Sequence, residues 1–164
     1  MSMSLKMDGL EQLQGKLKLM REAAEGEAAR QGVTAGGNVI RDAMRSEAPV
    51  LDEKTAHSTA LEPGALKADI STRVEKNKDG LITAFIGPGK RTSHVALWVE
   101  RGHLLVKGGQ LPWTNGKRKR SGAGRAVMHV PAHPFLRPAY DGSRRAALQE
   151  FAETAWAVLR KAVS

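Results

Sequence analysis

Over residues 8–20 the apolar side chains Leu10, Leu13, Leu17 and Met20 recur every three or four positions, which is one face of a helix. Asp8 with Glu11 three residues later is a capping-box-like start, so a short amphipathic helix is expected. A second helical stretch covers about residues 22–47, with Ala24, Ala28, Ala35, Val39 and Ala43 on one face and Ile40 and Met44 beside it. Gly32, Gly36 and Gly37 interrupt this stretch. Each costs about 1 kcal/mol in a helix interior relative to alanine, so either the helix bends there or a neighbour approaches closely. Pro49 ends the stretch, and residues 50–63 read as a polar connection.

The period then changes. Leu66, Ala68, Ile70, Thr72 and Val74 alternate at strand spacing over residues 66–75, and residues 81–86 form a second apolar run. Between them lies Lys76-Asn77-Lys78-Asp79-Gly80, whose Asp-Gly pair predicts an antiparallel hairpin, with Gly87-Pro88-Gly89 closing the second strand. Residues 94–101 suit a short helix or a strand. Gly108-Gly109, Pro112, Asn115-Gly116 and Gly122 make residues 104–124 a long loop or projecting hairpin, and residues 126–130 read as a last strand. In 130–140, Pro131, Pro134 and Pro138 predict an extended arm carrying Phe135, Leu136 and Tyr140. Pro138 also suits the first turn of a closing helix, in which Leu148, Phe151, Ala152, Ala155, Val158, Leu159 and Ala162 follow helical spacing. The sum is an α+β domain over 1–164: N-terminal helices to residue 48, a small mostly antiparallel sheet within 66–130 carrying a basic loop at 104–125, and the arm with a long amphipathic helix at 131–163.

Composition narrows the function classes. There is no cysteine, which excludes disulfides and thiolate chemistry and fits a reducing cytoplasm. No apolar run approaches the ~20 residues that span a bilayer, and the polar start lacks a signal-peptide core, so a soluble, unprocessed chain without a membrane partner is expected. Aromatic residues are scarce, so the core would be aliphatic and shared with neighbouring subunits. Charge is uneven: residues 1–82 hold 12 Lys/Arg against 13 Asp/Glu, and residues 83–164 hold 14 against 4. Lys90, Arg91, Arg101, Lys107, Lys117, Arg118, Lys119, Arg120 and Arg125 face only Glu100 in that interval. Such concentration favours an anionic partner. For the tract 117–120 three readings stand: a solvated loop, contact with duplex phosphates, or docking on an acidic protein ring.

Catalytic and ligand-holding patterns fail on inspection. Gly87-Pro88-Gly89-Lys90 lacks the glycine and the Ser/Thr of a phosphate loop, since Ala84 and Arg91 occupy those places, so it reads as a strand-ending turn. His129 and His133 have helical metal-ligand spacing, but Pro131 and Pro134 forbid the helix and no acid lies near. His133 is expected to order the arm. No nucleophile with a base and no carboxylate pair is found, so neither a catalytic site nor a cofactor or metal is expected. Glu100 among so many cations suggests an ion pair, with Arg137 as a candidate partner.

Two islands, Val95-Ala96-Leu97-Trp98-Val99-Glu100-Arg101-Gly102 and Ala132-His133-Pro134-Phe135-Leu136-Arg137-Pro138-Ala139, resemble the tail-completion (head-tail joining, neck) proteins of long-tailed double-stranded-DNA phages. Ala48-Pro49 and Gly64-Ala65-Leu66-Lys67-Ala68-Asp69-Ile70 look like two further landmarks of that family, with Pro63 and Asp69 where hydroxyl residues are usual and a longer connection between them. The resemblance favours helix for 94–101. It implies a structural virion protein, assembled in the host cytoplasm into a homo-oligomeric, usually six-fold ring around the DNA path. Head-completion or connector proteins would lie above it, and a tail terminator or tail-tube protein below. Trp98, Glu100, His133, Pro134, Phe135, Arg137 and Pro138 would then serve the ring region and the arm, which seats the terminal helix or grips the adjacent subunit. Lys107, Lys117, Arg118, Lys119, Arg120 and Arg125 would meet nucleic acid or a partner protein. The rivals are a free basic nucleic-acid-binding protein and, further off, an enzyme with an unrecognised site.

Overall fold

A computed structural model of the chain describes residues 10–50, 61–107, 113–114, 117–118 and 125–163. The two predicted N-terminal helices are one rod: α1 (Leu10–Ala23) passes through a π-helical turn (Ala24–Ala28) into α2 (Ala29–Glu47) without leaving helical dihedrals. Ala48 is already extended (φ −63°, ψ 131°), as the residue before Pro49 must be to avoid the proline ring.

The glycines of α2 mark close neighbours. A Cβ on Gly36 would stand 2.7 Å from the carbonyl oxygen of Ala147, and one on Gly32 would overlap Phe151 at 2.9 Å. One on Gly37 would meet the Thr72 methyl at 2.9 Å. The rod is therefore pressed between the C-terminal helix α5 (Leu136–Val163) on one side and strands β1 (Ile70–Lys76) and β2 (Ile82–Pro88) on the other. Both helices meet along every fourth residue: Gly32, Gly36, Ile40 and Met44 on α2, and Ala139, Ser143, Ala147 and Phe151 on α5. Ala147 is buried where the pattern of apolar residues had pointed to Leu148, which is 61% exposed. Close backbone approach selects the small residue.

The helices run antiparallel, Gly36 against Ala147 and Gly32 against Phe151, so at that register Val163 falls opposite Met20. The segment from Leu10 to Leu19 continues past the end of α5, and α1 buries none of its residues.

A short helix α3 (Ala65–Asp69), capped by left-handed Gly64, occupies the start of the first predicted strand, so β1 begins only at Ile70. It pairs antiparallel with β2 from Ile70↔Pro88 to Lys76↔Ile82. Asn77 closes the hairpin: its N–H donates to the Leu81 carbonyl at 2.9 Å, and its Oδ1 accepts the Leu81 N–H at 2.8 Å. Helix α4 (Ser93–Arg101) follows, then β3 (His103–Lys107) and β6 (Arg125–Val130), an antiparallel ribbon with a bulge between Leu105 and Val106. Two shorter strands, β4 (Trp113–Thr114) and β5 (Lys117–Arg118), pair with each other. The strands thus form separate two-stranded ladders instead of one sheet. The arm is shorter than expected, because helix begins at Leu136 and Pro138 lies inside it.

The core sits where α2, α3, β1, α4 and the start of α5 converge: Met44, Ala48, Leu66, Ile70, Ala96, Phe135 and Ala139. Ile70 and Phe135 are its largest fully buried apolar side chains, 0% and 1% exposed. Arg45 ties α2 to the strand entry by donating from Nε and Nη2 to the Ile70 carbonyl at 3.0 and 2.7 Å.

Candidate functional site

The two islands fold against each other. Glu100, at the end of α4, accepts hydrogen bonds on Oε2 from the backbone N–H groups of Phe135 at 2.9 Å and Leu136 at 3.1 Å. The first N–H groups of a helix have no partner within it, and the positive end of its dipole favours an anion, so this carboxylate caps α5 from another element. The expected ion pair with Arg137 does not form: the Glu100 oxygen is engaged by backbone, and Arg137 lies exposed. One residue earlier, the Val99 carbonyl accepts the His133 N–H at 2.7 Å. Gly102 completes the join. Its φ of +73° ends α4, and a Cβ there would stand 2.7 Å from the Val130 carbonyl oxygen and 2.9 Å from the Ala132 nitrogen. A side chain at 102 would be strained twice over, by its dihedral and by its neighbours.

The candidate arm and ring residues divide accordingly. Phe135 is core and Glu100 is half-buried as the cap, while His133, Pro134, Arg137 and Pro138 are exposed. His133 orders the arm through its backbone. Trp98 is 48% exposed and stands between two histidines, with ring centroids 5.2 Å from His94 and 5.5 Å from His103. Nδ1 of His103 is buried without a hydrogen-bond partner. Leu97, Leu104 and Met128 are also exposed on α4 and the ribbon.

A second junction had no counterpart in the sequence reading. Asp69 Oδ2 accepts from the Thr92 hydroxyl at 2.7 Å and the Thr92 N–H at 3.2 Å, and the Asp69 carbonyl accepts the Gly89 N–H at 3.1 Å. Thr92 is 0% exposed and is the residue before α4. Asp69 thus fixes the entry of α4. The signal that could have found it is Thr92 itself, a capping-type residue just ahead of the helical run.

Of the basic candidates, Lys107 and Arg125 are opposite one another in the β3–β6 ladder, and Arg118 and Lys117 stand opposite Trp113 and Thr114 in β4–β5. Lys119 and Arg120 lie outside the described residues. The N-terminal rod carries its own local pairing. Arg41 donates to Asp42 at 2.8 Å and holds that carboxyl below its ordinary value, mainly through the hydrogen bond. An open cleft of about 360 Å³ lies between the π-helical turn and the β1–β2 hairpin, lined by Gly26, Glu27, Arg30, Val74 and Ile82 among others. Glu27 there accepts from Gln31 at 2.6 Å. Among the described residues no three His, Asp or Glu side chains gather to hold a metal, and no helix is long and apolar enough to cross a membrane.

Comparison with protein-family models, with curated proteins and with solved structures finds no match to this chain.

Proposed function

We propose that this chain is a structural virion subunit of the tail-completion or neck type. It closes into a ring, six-fold by the resemblance, at the head–tail junction around the DNA path, after assembly in the host cytoplasm. Its neighbours are the connector side above and the tail terminator or tail tube below, and its action is assembly without catalysis. The observation that carries the reading is the latch: the two islands that resemble the neck family are one structural unit, in which Glu100, Val99 and Gly102 receive the arm at Phe135, His133 and Val130. The half-exposed apolar residues around it, Leu97, Trp98, Leu104 and Met128, form the kind of surface that assembly covers.

The test is deletion of the gene from a genome that produces particles, followed by electron microscopy of the lysate. DNA-filled heads and separate tails are the expected outcome. A normal yield of joined particles overturns the proposal. The concentration of Lys and Arg in residues 90–125 supports a second reading, a free nucleic-acid-binding protein, whose sign is tight or sequence-preferring binding by the monomer.

A further inference from the structure

Helix α1 runs past the end of α5 with its apolar side chains uncovered. Leu10, Leu13 and Leu17 are each about half exposed, and with Met20 they keep the three–four–three spacing of a coiled-coil seam. A seam of that kind fits another helix. A second helix face has the same character: on α5, Leu148, Ala152 and Trp156 follow one another every fourth residue along an outward row, all three exposed. Leu10 to Leu17 spans about 10 Å and Leu148 to Trp156 about 12 Å at 1.5 Å per residue, so the two rows match in length. They cannot meet within one chain. Ala152 follows Phe151, which lies against Gly32, and Gly32 is nineteen residues from Leu13 along the rod, on the order of 25 Å.

We propose that the α1 row of one copy of this chain docks on the α5 row of a second copy. Charge selects this pairing. Residues 12–19 hold Lys16 and Lys18 and no acid, whereas residues 146–159 hold Glu150 and Glu153 and no Lys or Arg, and all four of these side chains are exposed. Two copies of α1 laid together would bring lysine to lysine, and two copies of α5 glutamate to glutamate, but α1 on α5 sets unlike charges beside the apolar rows, the device by which helices choose partners. Arg21, on the next turn of α1, is already paired with Glu25 at 2.8 Å. Each copy offers one row and receives on the other, so the contact is heterologous and adds copies head to tail, into a ring where the rotation between copies closes. That it closes at a neck rests on the reading above; the contact itself does not.

The chain has no cysteine, so introduced thiols report the contact cleanly. Leu13 and Ala152 stand at the centres of the two rows and are exposed, so Leu13→Cys in one preparation of the full chain and Ala152→Cys in another should leave far-UV circular dichroism unchanged. A disulfide requires Cα atoms within about 7 Å. Under mild oxidation the mixture should give a covalent heterodimer, identified by intact mass, and each variant alone should stay monomeric. Absence of the heterodimer overturns the proposal. So does a homodimer of either variant forming as readily, since α1 would then meet α1, or α5 meet α5. Lys16→Glu/Lys18→Glu in the first chain should slow the heterodimer several-fold, and Glu150→Lys/Glu153→Lys in the second should restore it. A rate that neither pair of substitutions changes overturns the choice of partner. A chain carrying both cysteines should link into a ladder that stops at a closed ring. A ladder without an end supports the contact and overturns the ring of the neck reading, so the two fail separately.

Discussion

Gly36→Ala isolates the close backbone approach between α2 and α5. Alanine is the better helix former by about 1 kcal/mol, so at an open position the substitution stabilises. At Gly36 the new Cβ would be 2.7 Å from the Ala147 carbonyl oxygen and 3.4 Å from the Phe151 Cβ, where ordinary contact begins at 3.4 Å. The obstructing atom is backbone and has no rotamer to change. Relief requires α2 and α5 to separate by several tenths of an ångström, and a gap of about 0.5 to 1 Å forfeits a quarter to a half of the dispersion attraction of each contact. Overpacking of this kind costs about 1 to 3 kcal/mol. Because the obstruction is backbone, the upper part of that range applies, about 2 to 3 kcal/mol; against the propensity gain, the net is a loss of about 1 to 2 kcal/mol, a fall in Tm of about 2 to 8 °C for a chain of this size. Gly15→Ala is the internal control, since nothing lies within 4 Å of its Cβ position, and its Tm should equal or exceed wild type. Thermal denaturation followed by far-UV circular dichroism reads both. If Gly36→Ala melts at or above wild type, α2 and α5 are not packed through their glycine ridge and the register argued from it is wrong.

Phe135→Ala removes the largest apolar side chain of the core and should cost about 3 to 5 kcal/mol, measured by urea denaturation, with loss of stable folding at the upper end. Glu100→Ala strands two helix N–H groups and should destabilise by about 1 to 2 kcal/mol, with faster amide exchange at Phe135 and Leu136; unchanged exchange there would remove the latch from the account. Thr92→Val leaves the half-buried Asp69 carboxylate short of its hydroxyl donor at nearly constant volume and should cost about 1 to 3 kcal/mol by the same denaturation measurement. Arg41→Gln should let the Asp42 carboxyl rise towards its ordinary value in an NMR titration. The small stabilisation from this exposed pair is present above the ordinary carboxylate pKa and is lost as pH falls through the lowered value.

Much of the local structure was legible because short-range chemistry decides it. The Asp-Gly hairpin, the stop at Pro49 and the helical periodicity of α5 each follow from neighbours in sequence, whereas residues 94–101 suited helix and strand alike. Long-range proximity decides the rest. Gly32, Gly36 and Gly37 announced either a bend or a close neighbour, and only the position of Ala147, Phe151 and Thr72 resolves the choice. Periodicity pointed to Leu148, whereas the narrow gap at Gly36 requires Ala147 at the contact. Residues 66–69 alternate like a strand, yet Gly64 turns the chain into a helical turn and Asp69 is needed where it can reach Thr92. Glu100 drew attention through its charge, but its partners are backbone groups, which no pattern of side chains reveals.

The ribbon leaves the domain at Gly102 and returns at Val130, and the same few residues clamp both ends: the Val99 carbonyl on His133, and Gly102 against the Val130 carbonyl. A chain excursion closed at its base pays for extra length only logarithmically, about 0.6 kcal/mol for each doubling. Reach is thereby uncoupled from the integrity of the domain. Over evolutionary time such an element can be lengthened, shortened or exchanged as a module, while the helix that follows it is held in place by contacts that never enter the excursion.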